Sequence, residues 1–161
     1  MGNFIYFYGM LSFIGDFTCK ADSKFRVVVP APLRRVMTAS QQAMFVLRRN
    51  IYAPCIDMYP LSEWESMAAG LQARLSPFDR QHARFMRELF RGTSEVEMDA
   101  NGRILLPKRL LEEIGADKEM VLAGQGSRIE IWEAQAYARE ALKGDEFAGL
   151  TQWIFEDNAK K

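Results

Sequence analysis

Asp22-Ser-Lys-Phe-Arg26-Val-Val-Val-Pro30 returns later in the chain as Asp99-Ala-Asn-Gly-Arg103-Ile-Leu-Leu-Pro107, at an offset of 99 − 22 = 77 residues. Both stretches read Asp, three variable residues, Arg, three aliphatics, Pro. A repeat of this kind decides architecture before any single motif does, because each copy is one supersecondary unit that cannot cover its own apolar face.

The correspondence extends outward in both directions. Upstream, Gly15-Asp-Phe-Thr-Cys-Lys20 and Gly92-Thr-Ser-Glu-Val-Glu97 lie at the same offset and read as short strands entering a turn. Downstream, each proline opens a short basic helix, Ala31 to Met37 in the first copy and Pro107 to Gly115 in the second, with Gly115 as its stop. Met44–Leu47 with Ile56–Tyr59, and Met120–Ala123 with Arg128–Trp132, then alternate as the strands of two hairpins, the second turning at Gly124-Gln-Gly126. Each copy closes on helix. Ser62-Glu-Trp-Glu65 has the capping-box pattern, with Trp64, Met67, Leu71 and Leu75 on one face. Ser76, Pro77 and Asp79 open a further helix whose Phe78, His82, Phe85 and Leu89 share a side, and the second copy ends in a helix from about Ala134 to Leu142.

A half of this size with four short strands exposes edges and an apolar face, so the two halves are expected to interlock with pseudo-twofold symmetry. The fold class is therefore α+β, one intertwined unit. Residues 1–12 form an N-terminal arm or a translation-start artefact, 13–91 the first half, 92–142 the second, and 143–161 a C-terminal tail expected to be partly frayed.

The charges cancel overall, 21 basic against 21 acidic, which argues against binding nucleic acid by bulk electrostatics. They do not cancel locally. Met1 to Arg91 holds 12 basic and 7 acidic residues, 12 − 7 = +5, and the remainder 9 and 14, 9 − 14 = −5. Cys19 and Cys55 have no partner at metal-ligand spacing and His82 is the single histidine, so neither a zinc site nor any other metal or cofactor is expected. Two unpaired thiols suit a reducing, cytoplasmic compartment. The apolar opening Phe4–Ile14 is too short to span a bilayer and has neither a basic flank nor a cleavage site, so no signal peptide and no membrane partner are expected.

The Asp-x-x-x-Arg turns are the one polar constellation that occurs twice in equivalent context. Asn101-Gly102 is a tight-reversal signal. The preceding carboxylate can accept backbone N–H bonds or pair with the arginine that leaves the turn. In one reading the pair only staples a turn. In the other, each arginine is held by its aspartate and presents a planar fork of donors to phosphates or guanine edges. Lys20, Lys24, Arg26, Arg34 and Arg35 face only Asp22 around the first turn, while Arg103, Lys108 and Arg109 follow Asp99. Spacing alone leaves both readings open.

With Tyr59-Pro-Leu-Ser-Glu-Trp64 after the first hairpin and Arg128-Ile-Glu-Ile-Trp132 in the second, the duplicated phrase resembles the MraZ family over about residues 10–140. The resemblance implies a double-split β-barrel related to the AbrB-like DNA-binding fold, two tandem halves with flanking helices, assembled into a homo-oligomeric ring. It implies a cytoplasmic, nucleoid-associated transcriptional regulator of the cell-division and cell-wall gene cluster, bound to direct repeats in its own double-stranded promoter DNA. On this chain the DNA-contacting role transfers to Arg26 and Arg103, then to Lys24, Asn101 and Arg34, with Asp22, Asp99 and Gly102 supporting the turns. One departure stands out: Phe25 occupies the position where a turn glycine is usual, and because a bulky residue tolerates positive φ poorly the first turn is expected to have another shape.

Two other classes compete with this reading. A structural ring or protein-interaction module would use the arginines at subunit contacts. An enzyme finds little support, because His82 falls on an apolar helical face and cannot be paired with Cys55 as base and nucleophile.

Overall fold

A computed structural model of the chain describes residues 12–159, so the N-terminal arm falls almost wholly outside the described residues. In chain order the elements are β1 (Asp16–Lys20), β2 (Arg26–Val28), α1 (Ala31–Ala39), β3 (Met44–Arg49), β4 (Cys55–Pro60), α2 (Leu61–Arg74), α3 (Arg80–Phe90), β5 (Ser94–Glu97), β6 (Arg103–Leu105), α4 (Lys108–Glu113), β7 (Glu119–Gly124), β8 (Ile129–Glu133), α5 (Ala134–Arg139) and α6 (Gly144–Ala159).

Six strands form one antiparallel sheet in the order β1-β7-β8-β4-β3-β5, and β2 pairs with β6 in a separate ribbon. Exchanging β1 with β5, β3 with β7 and β4 with β8 returns the same order reversed, so a pseudo-twofold runs between β4 and β8 and through the ribbon. The halves trade their first strands: β1 pairs with β7 (Asp16↔Ala123 to Lys20↔Glu119), and β5 pairs with β3 (Met44↔Glu97 to Leu47↔Ser94). The interlocked α+β architecture expected from the repeat is what the chain adopts. Neither half could keep its sheet alone, because each supplies the other's edge.

Strand alternation puts Phe45 and Leu47 of β3, Ile56 and Met58 of β4, Met120 and Leu122 of β7, and Ile129 and Ile131 of β8 on the inner face. They pack against Val27 and Ile104 from the ribbon and Leu33, Met37, Leu110 and Leu111 from α1 and α4. Each such aliphatic side chain, fully withdrawn from water, contributes about 1.5–3 kcal/mol. Phe13 closes one end: its N–H donates to the Gly126 carbonyl at 2.7 Å, and its backbone passes so near Gly124 that a Cβ there would lie 2.5 Å from it.

The outer face is covered by helices. Trp64 of α2 and Leu89 of α3 bury Val46, while α5 covers Val121, Ala123 and Trp132. Several local expectations are corrected here. Helix α2 starts at Leu61 behind Pro60 with no side-chain cap, so Ser62 lies inside the first turn and its N–H donates to Gln42 Oε1 instead of completing a capping box. Helix α3 starts at Arg80, later than Ser76 and Pro77, and Asp79 of the expected opening is its cap, its carboxylate accepting from the N–H groups of Gln81 and His82. Of the side Phe78-His82-Phe85-Leu89, only Leu89 is buried, and Phe78 is 96% exposed. The segment from Gly144 forms a 16-residue helix, an element that the sequence reading had not placed within the C-terminal tail. No described helix is long and apolar enough to cross a membrane.

Candidate functional site

The two Asp-x-x-x-Arg turns have the same geometry. Asp22 Oδ1 accepts from the N–H groups of Lys24 and Arg26, both at 2.9 Å, and Asp22 Oδ2 accepts from Arg26 Nε at 2.8 Å. In the second turn, Asp99 Oδ1 accepts from Asn101 N–H and Arg103 N–H, and Asp99 Oδ2 from Arg103 Nε, each at 2.9 Å. The backbone repeats too: Phe25 N–H donates to Asp22 O and Gly102 N–H to Asp99 O. Asn101 does not share the positive φ of Gly102, so the reversal is built on one left-handed residue.

That left-handed residue in the first turn is Phe25, with φ 61°, beside 76° for Gly102. The expectation that Phe25 would reshape its turn is therefore corrected. A non-glycine residue there costs about 1–3 kcal/mol. What offsets it is packing: the Phe25 ring is half-buried against the main core, Lys108 Nζ stands 6.0 Å from its centroid, and the Phe25 carbonyl accepts from Leu106 N–H at 2.9 Å.

The carboxyl groups of Asp22 and Asp99 are held below the usual carboxylate range, chiefly by the N–H groups of Arg26 and Arg103. Each carboxylate thus spends one oxygen on its turn and the other on its arginine's Nε. The Nη1 and Nη2 groups of Arg26 and Arg103 make no hydrogen bond among the described residues. Side chains of 35% and 32% relative exposure are tethered at the stem and free at the fork.

Both arginines open the strands of the ribbon. Its register, Arg26↔Leu105, Val27↔Ile104 and Val28↔Arg103, puts Arg26, Val28, Arg103 and Leu105 on one face and buries Val27 and Ile104 on the other. The outward face carries the two guanidiniums on a diagonal across the pseudo-twofold, with exposed Val28 and Leu105 between them. Lys24 and Asn101 occupy equivalent, exposed tips. Arg34, from α1 of the first half, reaches across to the second turn: a Cβ on Gly102 would meet its Cδ at 2.4 Å. The structure therefore brings Arg26, Arg103, Lys24, Asn101, Arg34, Asp22, Asp99 and Gly102 to a single ribbon and its two turns. Sequence reasoning had not placed Lys108 beside Phe25 as the counterpart of Arg34, since the two are not at equivalent repeat positions.

A second polar cluster lies on the outer face. Asp57 of β4 and Glu130 of β8 face each other in register, and Arg128 donates to both, at 3.2 Å from Nε and 3.0 Å from Nη2. Asn50 Nδ2 donates to Asp57 and Trp132 Nε1 to Glu130. With Cys55, these carboxylates bring three potential metal-ligand atoms within 4.8 Å of one another. Their lone pairs are engaged by Arg128, Asn50 and Trp132, and burial pushes the Cys55 thiol far up, with Glu130 and Asp57 adding to it. The chemistry is that of a buried ion pair closing the seam between halves. His82 stays half-exposed, its Nδ1 accepting from Ser76 N–H at 2.9 Å.

Comparison with known proteins agrees with this layout. The family model described as "MraZ protein, putative antitoxin-like" matches twice, over residues 12–88 and 89–146. Proteins named transcriptional regulator MraZ are similar over most of the chain. The one from Christiangramia forsetii is 33% identical over 90% of this chain and 94% of its own, and that from Flavobacterium psychrophilum 35% over 90% and 92%. The one from Shewanella oneidensis is 34% identical over 84% of this chain and 93% of its own. These relatives are named as regulators, not as enzymes. A double family match and relatives spanning nearly their whole length lead to one conclusion: the chain belongs to the MraZ family.

Proposed function

We propose that this protein is a transcriptional regulator that binds double-stranded promoter DNA through the exposed face of the β2–β6 ribbon. One observation carries the reading: Arg26 and Arg103 are each fixed through Nε by an aspartate, while their Nη groups, on the same face, make no hydrogen bond among the described residues. A two-stranded antiparallel ribbon has the width to enter the major groove. An arginine fork presented there pairs with the O6 and N7 acceptors of guanine, each good pair being worth about 1–3 kcal/mol of discrimination. Lys24, Asn101 and Arg34 flank the forks and contact the phosphate backbone, which positions the ribbon without reading sequence. The pseudo-twofold gives one chain two equivalent contacts.

In this reading the DNA is a set of G-rich direct repeats upstream of its own cell-division and cell-wall gene cluster, and the protein acts in the cytoplasm on the nucleoid as a homo-oligomeric ring. A ring explains how a chain of zero formal charge holds DNA, because several modest contacts on one polymer raise the effective concentration of the rest. Similar proteins named transcriptional regulators support the role. Footprinting of the upstream DNA tests it: protection confined to direct repeats is expected, and uniform or absent protection contradicts it.

A second reading has an observation of its own. Val28 and Leu105 stand 52% and 57% exposed between the arginines, an apolar pair suited to a protein contact. If the ribbon serves a structural ring or interaction module, Arg26→Ala and Arg103→Ala dissolve the assembly and the upstream DNA shows no footprint.

A further inference from the structure

Among the described residues, helix α6 is left without a covering surface. No side chain from Gly144 to Glu156 is buried, and Phe147, Leu150, Trp153, Ile154 and Phe155 stand 40–69% exposed. Phe147, Leu150 and Ile154 recur at i, i+3 and i+7, so they form one stripe along a helix about 24 Å long. An isolated helix of this length is marginal in water, and a contiguous apolar stripe marks a contact site. The ionic side chains between Gly144 and Glu156 are all acidic: Asp145, Glu146 and Glu156.

The first half offers a complementary surface. Between the β3–β4 loop and helices α2 and α3 runs a groove walled by Ile51, Met67, Leu71 and Phe85 and flanked by Arg49 and by Arg91, whose Nε donates to Glu88 at 3.0 Å on the same rim. Ile51 is 58% and Phe85 42% exposed. Helix α3 beside it is basic as well, with Arg80, Arg84 and Arg87 against Glu88. Among the described residues the helix stripe and the groove are both left open.

We infer that α6 of one copy docks into this groove on a second copy. An amphipathic helix laid into an apolar groove through i, i+3 and i+7 anchors is a recurring mode of recognition, and acidic helix against basic rim sets the partner. The contact joins two different patches, so every copy gives one helix and receives one. Such a head-to-tail contact closes into a ring when its rotation closes. The inference rests on the ring reading above and names the surfaces that build it.

The test uses the full chain. Light and 15N-labelled protein are mixed, each with the photo-cross-linking residue p-benzoylphenylalanine in place of Leu150, and irradiated. Light-to-heavy cross-links from position 150 to peptides containing Ile51 or Phe85 are expected. Only same-chain cross-links, links elsewhere, or none overturn the docking. Light scattering on Phe147→Ser/Leu150→Ser/Ile154→Ser and, separately, Phe85→Ser is expected to show the mass of one chain, with circular dichroism like the wild type's. An oligomer that survives both variants overturns the docking while leaving the ring reading standing. A wild-type protein that is monomeric overturns both.

Discussion

The first turn, Asp22–Arg26, and the second, Asp99–Arg103, place aspartate, backbone and guanidinium in the same arrangement, yet one runs through Phe25 and the other through Gly102 at the same left-handed backbone position. Glycine meets that geometry for free. Phenylalanine meets it because its ring is half-buried against the core and under Lys108. The difference teaches that the arginine's placement is the quantity both halves preserve, and that it can rest on backbone freedom in one half and on packing in the other. The neighbours follow suit: Arg34 occupies the space over Gly102 that a side chain would need, while the space at Phe25 is filled by the ring.

The comparison can be broken most sharply at the arginines. Arg26→Ala and Arg103→Ala are each expected to lower affinity for the promoter repeats by about 10- to 100-fold, the size of one lost bidentate base contact, in a fluorescence-anisotropy titration. Near-equal losses would mean both turns read DNA alike. A loss at Arg103 alone would restrict reading to the glycine turn. Next in size, Gly102→Phe copies the first turn's residue into the second without its pocket. It is expected to cost about 1–3 kcal/mol in a denaturant melt, from the strained φ, plus displacement of Arg34. A neutral result would show that packing at Phe25 is not needed.

Smaller effects are expected at Phe25 itself. Phe25→Ala keeps the positive φ and loses the ring, whereas Phe25→Gly loses the ring and relieves the backbone, so the glycine variant is expected to be the more stable by about 1 kcal/mol. The reverse order would contradict the strain described here. Smallest is a pH effect. Asp22 and Asp99 have carboxyls lowered in the folded state, chiefly by the N–H groups of Arg26 and Arg103. Their stabilisation is therefore complete above the ordinary carboxylate pKa of about 3.9 and is lost as pH falls through the lower folded values. Asp79 and Glu133 are lowered too, by the N–H groups they cap. Acid titrations of wild type and Asp22→Asn/Asp99→Asn isolate the turns: the variant is expected to be less stable at neutral pH and to converge on wild type in acid. Parallel curves would remove the staple from the account.

Much of this architecture could be read from residues because the repeat constrains it. Aspartate, arginine, three aliphatics and proline recurring at one offset establish two equivalent units, and four short strands per unit demand that each cover the other. Which strands change partners was not readable, since β1 would complete the inner face equally well against β3 or β7. Phe25 misled because steric preference is local and its compensation is tertiary, supplied by the core and by Lys108 from the other half. Ser62 fitted the capping-box spacing, but Pro60 starts the helix too early for it to cap. Helix α6 was missed because two glycines, Gly144 and Gly149, fall within it and weaken the helical pattern. The Asp57–Arg128–Glu130 cluster spans both hairpins and leaves no spacing to notice.

The most direct test of the central claim is promoter binding measured beside assembly. Wild type and the Arg26→Ala/Arg103→Ala double variant are titrated against upstream and scrambled duplexes at two salt concentrations, with the oligomer mass followed in parallel. The account predicts selective, salt-weakened binding by the wild type that the double variant loses while its mass is unchanged. Selective binding that survives loss of both arginines would contradict it.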